Sequence, residues 1–134
     1  MLVSTKGRYA LRVMIELATH EEGEYVPLKT IATAQNISEK YLESIIGVLS
    51  KAGLLDGLRG KGGGLRLNRS AKDYSVGEIL RLTEGTLAPV SCLDGDENTC
   101  ERCMDCKTLP MWESLNRLIS SYLDSVSIEE LLKN

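Results

Sequence analysis

Cys92, Cys100, Cys103 and Cys106 are the only thiols in the chain, and all four lie within the stretch CLDGDENTCERCMDC. Thiolates are soft donors that favour iron-sulfur clusters, zinc or copper(I). The run Cys-x2-Cys-x2-Cys matches part of a ferredoxin-type ligand series, with the fourth cysteine here placed upstream. Gly95 and Asn98 tolerate the backbone angles that would bring Cys92 round toward the other three. The carboxylates of Asp94, Asp96, Glu97, Glu101 and Asp105 crowd the same stretch, and their charge disfavours thiolates unless a cation is bound. Three chemistries fit these residues: an iron-sulfur cluster (2Fe-2S or 4Fe-4S), a closed four-thiolate zinc site, and metal-free thiols that switch by oxidation.

The remainder of the chain narrows the setting. Its 134 residues make one ordinary domain's length. The opening MLVSTKGRYALRVMIELATH is interrupted by Lys6, Arg8, Arg12 and Glu16, which is unlike a secretory leader, and no apolar run reaches membrane-spanning length. A cytoplasmic protein without membrane contact is expected, and there clustered cysteines point to metal or redox chemistry more than to structural disulfides. Catalysis finds no support: there is no phosphate-cradling glycine loop beside a strand, no nucleophile-base pair, and one histidine. His20 falls at a helix end beside Glu21 and Glu22 and reads as a solvated terminal residue. The chain is therefore expected not to be an enzyme.

Charge divides along the sequence. Residues 1–72 carry 11 Lys/Arg against 7 Asp/Glu, a net +4, whereas residues 73–134 carry 5 against 12, a net −7. This pattern fits an anion-binding module joined to an acidic regulatory or pairing segment.

The elements that must position these groups follow from periodicity and caps. Ser4 opens a first helix with Ala10, Leu11, Met14, Leu17 and Ala18 on one face, running to about His20. LKTIATAQ forms a short second helix stopped by Asn36. Ser38 caps a third, with Leu42, Ile45, Ile46 and Leu49 inward, Lys40, Glu43, Gly47 and Ser50 outward, and Gly53 past its end. LLDGL and LRL flank RGKGGG as a glycine-rich hairpin with cations at its tip. Ser75 and Glu78 form a capping box for a fourth helix, with Val76, Ile79, Leu80 and Leu82 for the core. From Thr108 a long helix carries Trp112, Leu115, Ile119 and Tyr122, with Leu118, Leu123 and Val126 widening the stripe. Part of so wide a stripe is expected to pack on a second copy. Ser127 and Glu130 open a final short helix.

Three helices followed by a two-stranded hairpin is the order of a winged helix-turn-helix, whose third helix enters the major groove of duplex DNA. Lys6 and Lys40 can meet phosphates, Ser38 can do so from a helix N-terminus, and Glu43 can accept from a cytosine amino group. Arg59 and Lys61 flank glycines that admit a close backbone approach, and an arginine there suits a narrow minor groove. A protein-interaction module, with zinc held only for stability, is the alternative these residues also allow.

The stretches STKGRYALR, ISEKYLE, LRGKGGG, SVGEIL and CKTLPMW resemble a bacterial family of winged-helix regulators, the Rrf-type regulators. That family includes the iron-sulfur-cluster regulator IscR, the nitric-oxide sensor NsrR and the cysteine-metabolism regulator CymR. The resemblance covers nearly the whole chain. It implies a mainly α fold with a small β-wing, a winged helix-turn-helix domain over residues 1–85, a cysteine-rich cluster-binding loop over 86–107, and a dimerisation helix with a short C-terminal helix over 108–134. It also implies a homodimer on operator DNA, most simply a repressor, with Ser38, Lys40, Tyr41, Glu43, Arg59 and Lys61 facing the duplex.

Cluster-binding members use three loop cysteines. Cys100 and Cys106 keep the family spacing before Trp112, the gap from Cys92 to Cys100 is two residues longer than is common, and Cys103 is extra. Where some relatives carry a histidine after the last cysteine, or an acid before Tyr-Ala-Leu-Arg, this chain has Leu109 and Arg8. Neither ligates iron, so if the cluster is held entirely by protein, the resemblance makes Cys103 the natural candidate for its fourth ligand.

Overall fold

The computed structural model describes residues 2–134. Its elements run α1 (Thr5–Ala18), α2 (Leu28–Gln35), α3 (Glu39–Lys51), β1 (Leu55–Leu58), β2 (Gly64–Leu67), α4 (Val76–Glu84), α5 (Leu109–Ser125) and α6 (Ile128–Leu132), with short 3-10 turns at Ala71–Asp73 and Ser91–Leu93. Each serine cap forms as its sequence context predicts. The hydroxyls of Ser4, Ser38, Ser75 and Ser127 accept from the amides of Gly7, Tyr41, Glu78 and Glu130 at 3.1, 3.1, 3.0 and 3.1 Å. Each satisfies one of the otherwise unpaired first-turn donors of its helix.

The core lies between α1, α2 and α3. Val13 and Met14 from α1, Ile31 from α2, and Leu42, Ile45 and Leu49 from α3 are all fully buried in one cluster. Their spacing places them on single helical faces. The α2–α3 corner turns at Asn36, which adopts the left-handed conformation (φ 53°, ψ 51°) that ends α2.

β1 and β2 pair antiparallel from Leu55↔Leu67 to Leu58↔Gly64. Val26 adds a rung on the outer side of β2, exchanging two 2.8 Å backbone hydrogen bonds with Leu65. Gly64 is what allows this rung, since a Cβ at that position would stand 2.1 Å from the Val26 carbonyl oxygen.

α4 contributes Ile79 to the main core and, through Val76 and Leu80, builds a second cluster with Leu87. Leu82, expected inside, is 37% exposed, because the buried positions of α4 follow its 76-79-80 face. α5 meets the second cluster only through Ile119, Leu123 and the following Val126. The chain then returns: Val76 donates to Val126, Ile128 donates to Tyr74, and Ile128 is fully buried in the main core. α6 is thus docked on the N-terminal helices, whereas α5 keeps an outer stripe of Met111, Leu115, Leu118 and Tyr122 uncovered. Those four recur at helical spacing on one face. Among the described residues no helix is long and apolar enough to cross a membrane.

Candidate DNA-reading face and cysteine loop

Because Leu42, Ile45, Ile46 and Leu49 anchor α3 in the core, the opposite face must point outward. Lys40, Glu43, Gly47 and Ser50 occupy it, all exposed. Ser38 is exposed at the start of the helix, and its hydroxyl, already accepting from Tyr41, keeps its proton free to donate. Arg59 and Lys61 are exposed at the hairpin tip, and Lys6 is half-buried in the first turn of α1.

Among the described residues only three of the lysines and arginines stand in ion pairs. Arg66, Arg69 and Arg81 are each matched to a carboxylate, Asp56 at 3.5 Å, Glu78 at 2.9 Å and Asp124 at 2.6 Å. Lys6, Lys40, Arg59 and Lys61 enter no ion pair among the described residues. Their charge is left available to an external anion. A polyanion such as duplex DNA gains most from such charges, because each neutralised phosphate releases condensed counterions.

Tyr41 is 36% exposed at the first turn of α3, and it is tied back to α1 by a chain of contacts. Its ring lies against Tyr9, with centroids 5.8 Å apart and planes tilted by 56°. The Arg12 guanidinium sits 4.7 Å over the Tyr9 ring. Arg12 also donates through Nε to Gln35 Oε1 at 3.0 Å and through Nη2 to the Gln35 carbonyl. Gln35 Nε2 donates in turn to Glu16 Oε1 at 2.9 Å. His20, expected to be a solvated helix-end residue, is half-buried with Nε2 3.1 Å from the other Glu16 oxygen. The Tyr9–Arg12 and Glu16–His20 contacts lie three and four residues apart along α1 and its end, whereas the Tyr9–Tyr41, Arg12–Gln35 and Glu16–Gln35 contacts join separate elements that periodicity does not pair.

The cysteine loop hangs between α4 and α5. Cys92 is half-buried in the Ser91–Leu93 turn, Cys100 is exposed, and Cys103 and Cys106 are half-buried; all four are free of disulfides. The Asn98 side chain accepts from the Cys100 amide at 2.9 Å, and the Cys103 amide donates to the Cys100 carbonyl at 3.2 Å. One tight turn therefore carries the Cys100 and Cys103 pair. Cys106 stands at the entrance to α5, with Sγ 3.4 Å from Thr108 Oγ1. The Thr108 hydroxyl, then the Thr108 and Leu109 amides and the nearby Arg102 charge, hold its thiol below the ordinary value.

Among the described residues no three His, Cys, Asp or Glu side chains are gathered as a metal-binding group. The structure thus puts the four cysteines on one loop without bringing their sulfurs together. The donor set itself, four free thiols on a turn-rich loop, has the softness that a thiolate-held centre needs.

The Rrf2 family, described as iron-dependent transcriptional regulator, matches residues 3–134. The HTH-type transcriptional regulator IscR of Xenorhabdus nematophila is 38% identical over 134 residues, covering 100% of this chain and 80% of the relative. The solved structure of CymR, the global cysteine regulator of B. subtilis, superposes with a TM-score of 0.81 at 35% identity, covering 99% of this chain and 97% of that one. T. potens IscR does so with a TM-score of 0.76 at 38% identity, covering 99% and 87%. With a small β-wing on a mainly helical fold and a match over nearly its full length, the chain belongs to the Rrf2 family of transcriptional regulators, DNA-binding proteins and not enzymes.

Proposed function

We propose that this protein is a dimeric cytoplasmic repressor that grips a palindromic operator through Lys6, Ser38, Lys40, Tyr41, Glu43, Arg59 and Lys61, and that its grip is set by an iron-sulfur cluster held at Cys92, Cys100, Cys103 and Cys106. The observation that carries the DNA role is the joint exposure of Lys40, Glu43, Arg59 and Lys61 on the outward face of α3 and the wing tip, where none of the three cations enters an ion pair among the described residues. Support for pairing comes from the uncovered stripe on α5, where Leu118 and Tyr122 are each 68% exposed, and a two-fold dimer would present two reading helices to two half-sites.

When bound, the cluster supplies a redox-active, degradable iron centre. The chain's own residues supply the transmission. Cys106 sits two residues before the Thr108 entrance to α5; α5 is tied to α4 by Arg81 and Asp124, and Val126, just past its end, accepts from the Val76 amide. A change in the loop therefore reaches the frame that holds the winged helix. A ligand can shift that frame only if it favours one arrangement over the other. The deciding experiment is duplex binding at fixed salt by protein purified without air, before and after the cluster is stripped. A difference in affinity is expected; equal affinity would remove the sensor while leaving the DNA role standing.

A second reading, a metal-free thiol switch, draws on the four thiols being free and at least partly accessible. It is separated from the first by comparing oxidised and reduced protein in the absence of iron.

A further inference from the structure

We propose that Tyr9, Arg12 and Gln35 are positioning residues: they form a strut that fixes Tyr41 and the first turn of α3, and so set operator discrimination without themselves touching DNA. This rests on the DNA-reading role proposed above. The apolar contacts under α3 hold it to the core, but hydrophobic burial is non-directional and tolerates small rotations and slides of a helix. Distinguishing bases requires side chains placed to about 0.5 Å. Something directional has to supply that precision, and the strut is made of directional contacts.

The pin is Gln35, the last residue of α2. Its Oε1 accepts from Arg12 and its Nε2 donates to Glu16. The reverse orientation of the amide would set its NH2 group against a guanidinium and its oxygen against a carboxylate. Only one orientation is satisfied, so the end of α2 is locked to α1 on its polar side. Arg12 also takes the Gln35 main-chain carbonyl, which stands at the negative end of α2. The same guanidinium covers the Tyr9 ring, and Tyr9 in turn abuts Tyr41. The turn that leads into Ser38, and the aromatic that flanks the reading face, are therefore registered to one point on α1. None of the phosphate-facing cations takes part, so general attraction for DNA and discrimination among sequences are carried by different residues.

The test uses the full chain, its operator selected from a randomised duplex pool, and an unrelated duplex, titrated over a range of salt. Tyr9→Leu removes the ring; Tyr9→Phe keeps the ring and loses only a hydroxyl that makes no hydrogen bond among the described residues. Gln35→Met keeps the length of the side chain and the charge of the protein at a half-buried position and removes both side-chain hydrogen bonds, to Arg12 and to Glu16.

Tyr9→Leu and Gln35→Met are each expected to weaken operator binding by about five- to tenfold, the scale of one aromatic or polar contact, while affinity for the unrelated duplex and the salt slope stay at parental values. Tyr9→Phe should match the parent. An unchanged operator-to-unrelated ratio in both variants, or equal loss on both duplexes, overturns the proposal. If Tyr9→Leu does not fold, Gln35→Met decides alone. A parent protein without salt-dependent duplex binding would overturn the DNA-reading role itself, an outcome visible before any variant is compared.

Discussion

Arg81 grips Asp124 through two parallel hydrogen bonds, Nη1 to Oδ1 at 2.6 Å and Nη2 to Oδ2 at 3.2 Å, and so fastens α4 to α5. The hydrogen bond to the carboxylate raises the Arg81 pKa further above its already high ordinary value, so the guanidinium stays charged. Gly77 makes room for it: a Cβ there would fall 2.1 Å from Asp124 Oδ1. Both partners are partly solvated, and the pair contributes about 0.5–1 kcal/mol.

Gly77→Ala should displace the carboxylate and break the pair. The gain in helix propensity, about 1 kcal/mol, offsets that loss, so net stability in urea should stay near parental. The signature is in the double mutant: Asp124→Ala should cost about 0.5–1 kcal/mol in the parent and nearly nothing on the Gly77→Ala background. Additive effects would show that the two residues do not interact.

Tyr74 is fully buried, and its hydroxyl is a junction. It donates to the Leu54 carbonyl at 2.8 Å and accepts from the amides of Asn68 and Arg69 at 2.9 and 3.0 Å. Tyr74→Phe leaves two amides and a carbonyl without this partner and should cost about 1–3 kcal/mol in denaturant unfolding.

The same residue predicts an alkaline limb. Burial pushes the Tyr74 phenol above its ordinary value, against the lowering effect of the two amides. Folded protein therefore keeps a proton that unfolded chain releases. The contribution is fully present below the unfolded phenol's pKa of about 10 and is lost as pH rises from there through the folded value. Unfolding measured across that window should fall more steeply for the parent than for Tyr74→Phe; parallel curves would contradict it.

Leu118→Glu addresses pairing. Leu118 is 68% exposed in the single chain, so the substitution should leave monomer stability within about 0.5 kcal/mol of the parent. If the outer stripe of α5 is the dimer seam, the variant should sediment as a monomer at concentrations where the parent is a dimer, with pairing weakened at least tenfold or so. Unchanged sedimentation would place the seam elsewhere.

Local chemistry was legible in the sequence, and long-range partnership was not. Each serine cap could be foreseen because the capping hydroxyl and the amide that donates to it lie three residues apart, and the inward stripe of α3 follows from one helical period. The stripe of α5 was read as a single broad sector. In the structure Ile119 and Leu123 turn to α4 while Leu115, Leu118 and Tyr122 stay outside, because only the neighbouring helix decides which half is covered. The Val26 rung, the Tyr74 junction and the link between Arg12 and Gln35 each join residues from different elements, and no periodicity encodes such pairs. At the cysteine loop the residue types announce soft-donor chemistry, but among the described residues no three of those side chains are gathered as a metal-binding group.

The central claim is that unpaired cations on α3 and the wing grip duplex DNA. Its most direct measurement is duplex affinity as a function of salt for the parent and for the triple variant Lys40→Ala, Arg59→Ala, Lys61→Ala. Three cations lost per protomer, six per bound dimer, should reduce the slope of log K against log salt by about 5 and weaken binding most at low salt. A triple variant with the parental slope and affinity would contradict the account.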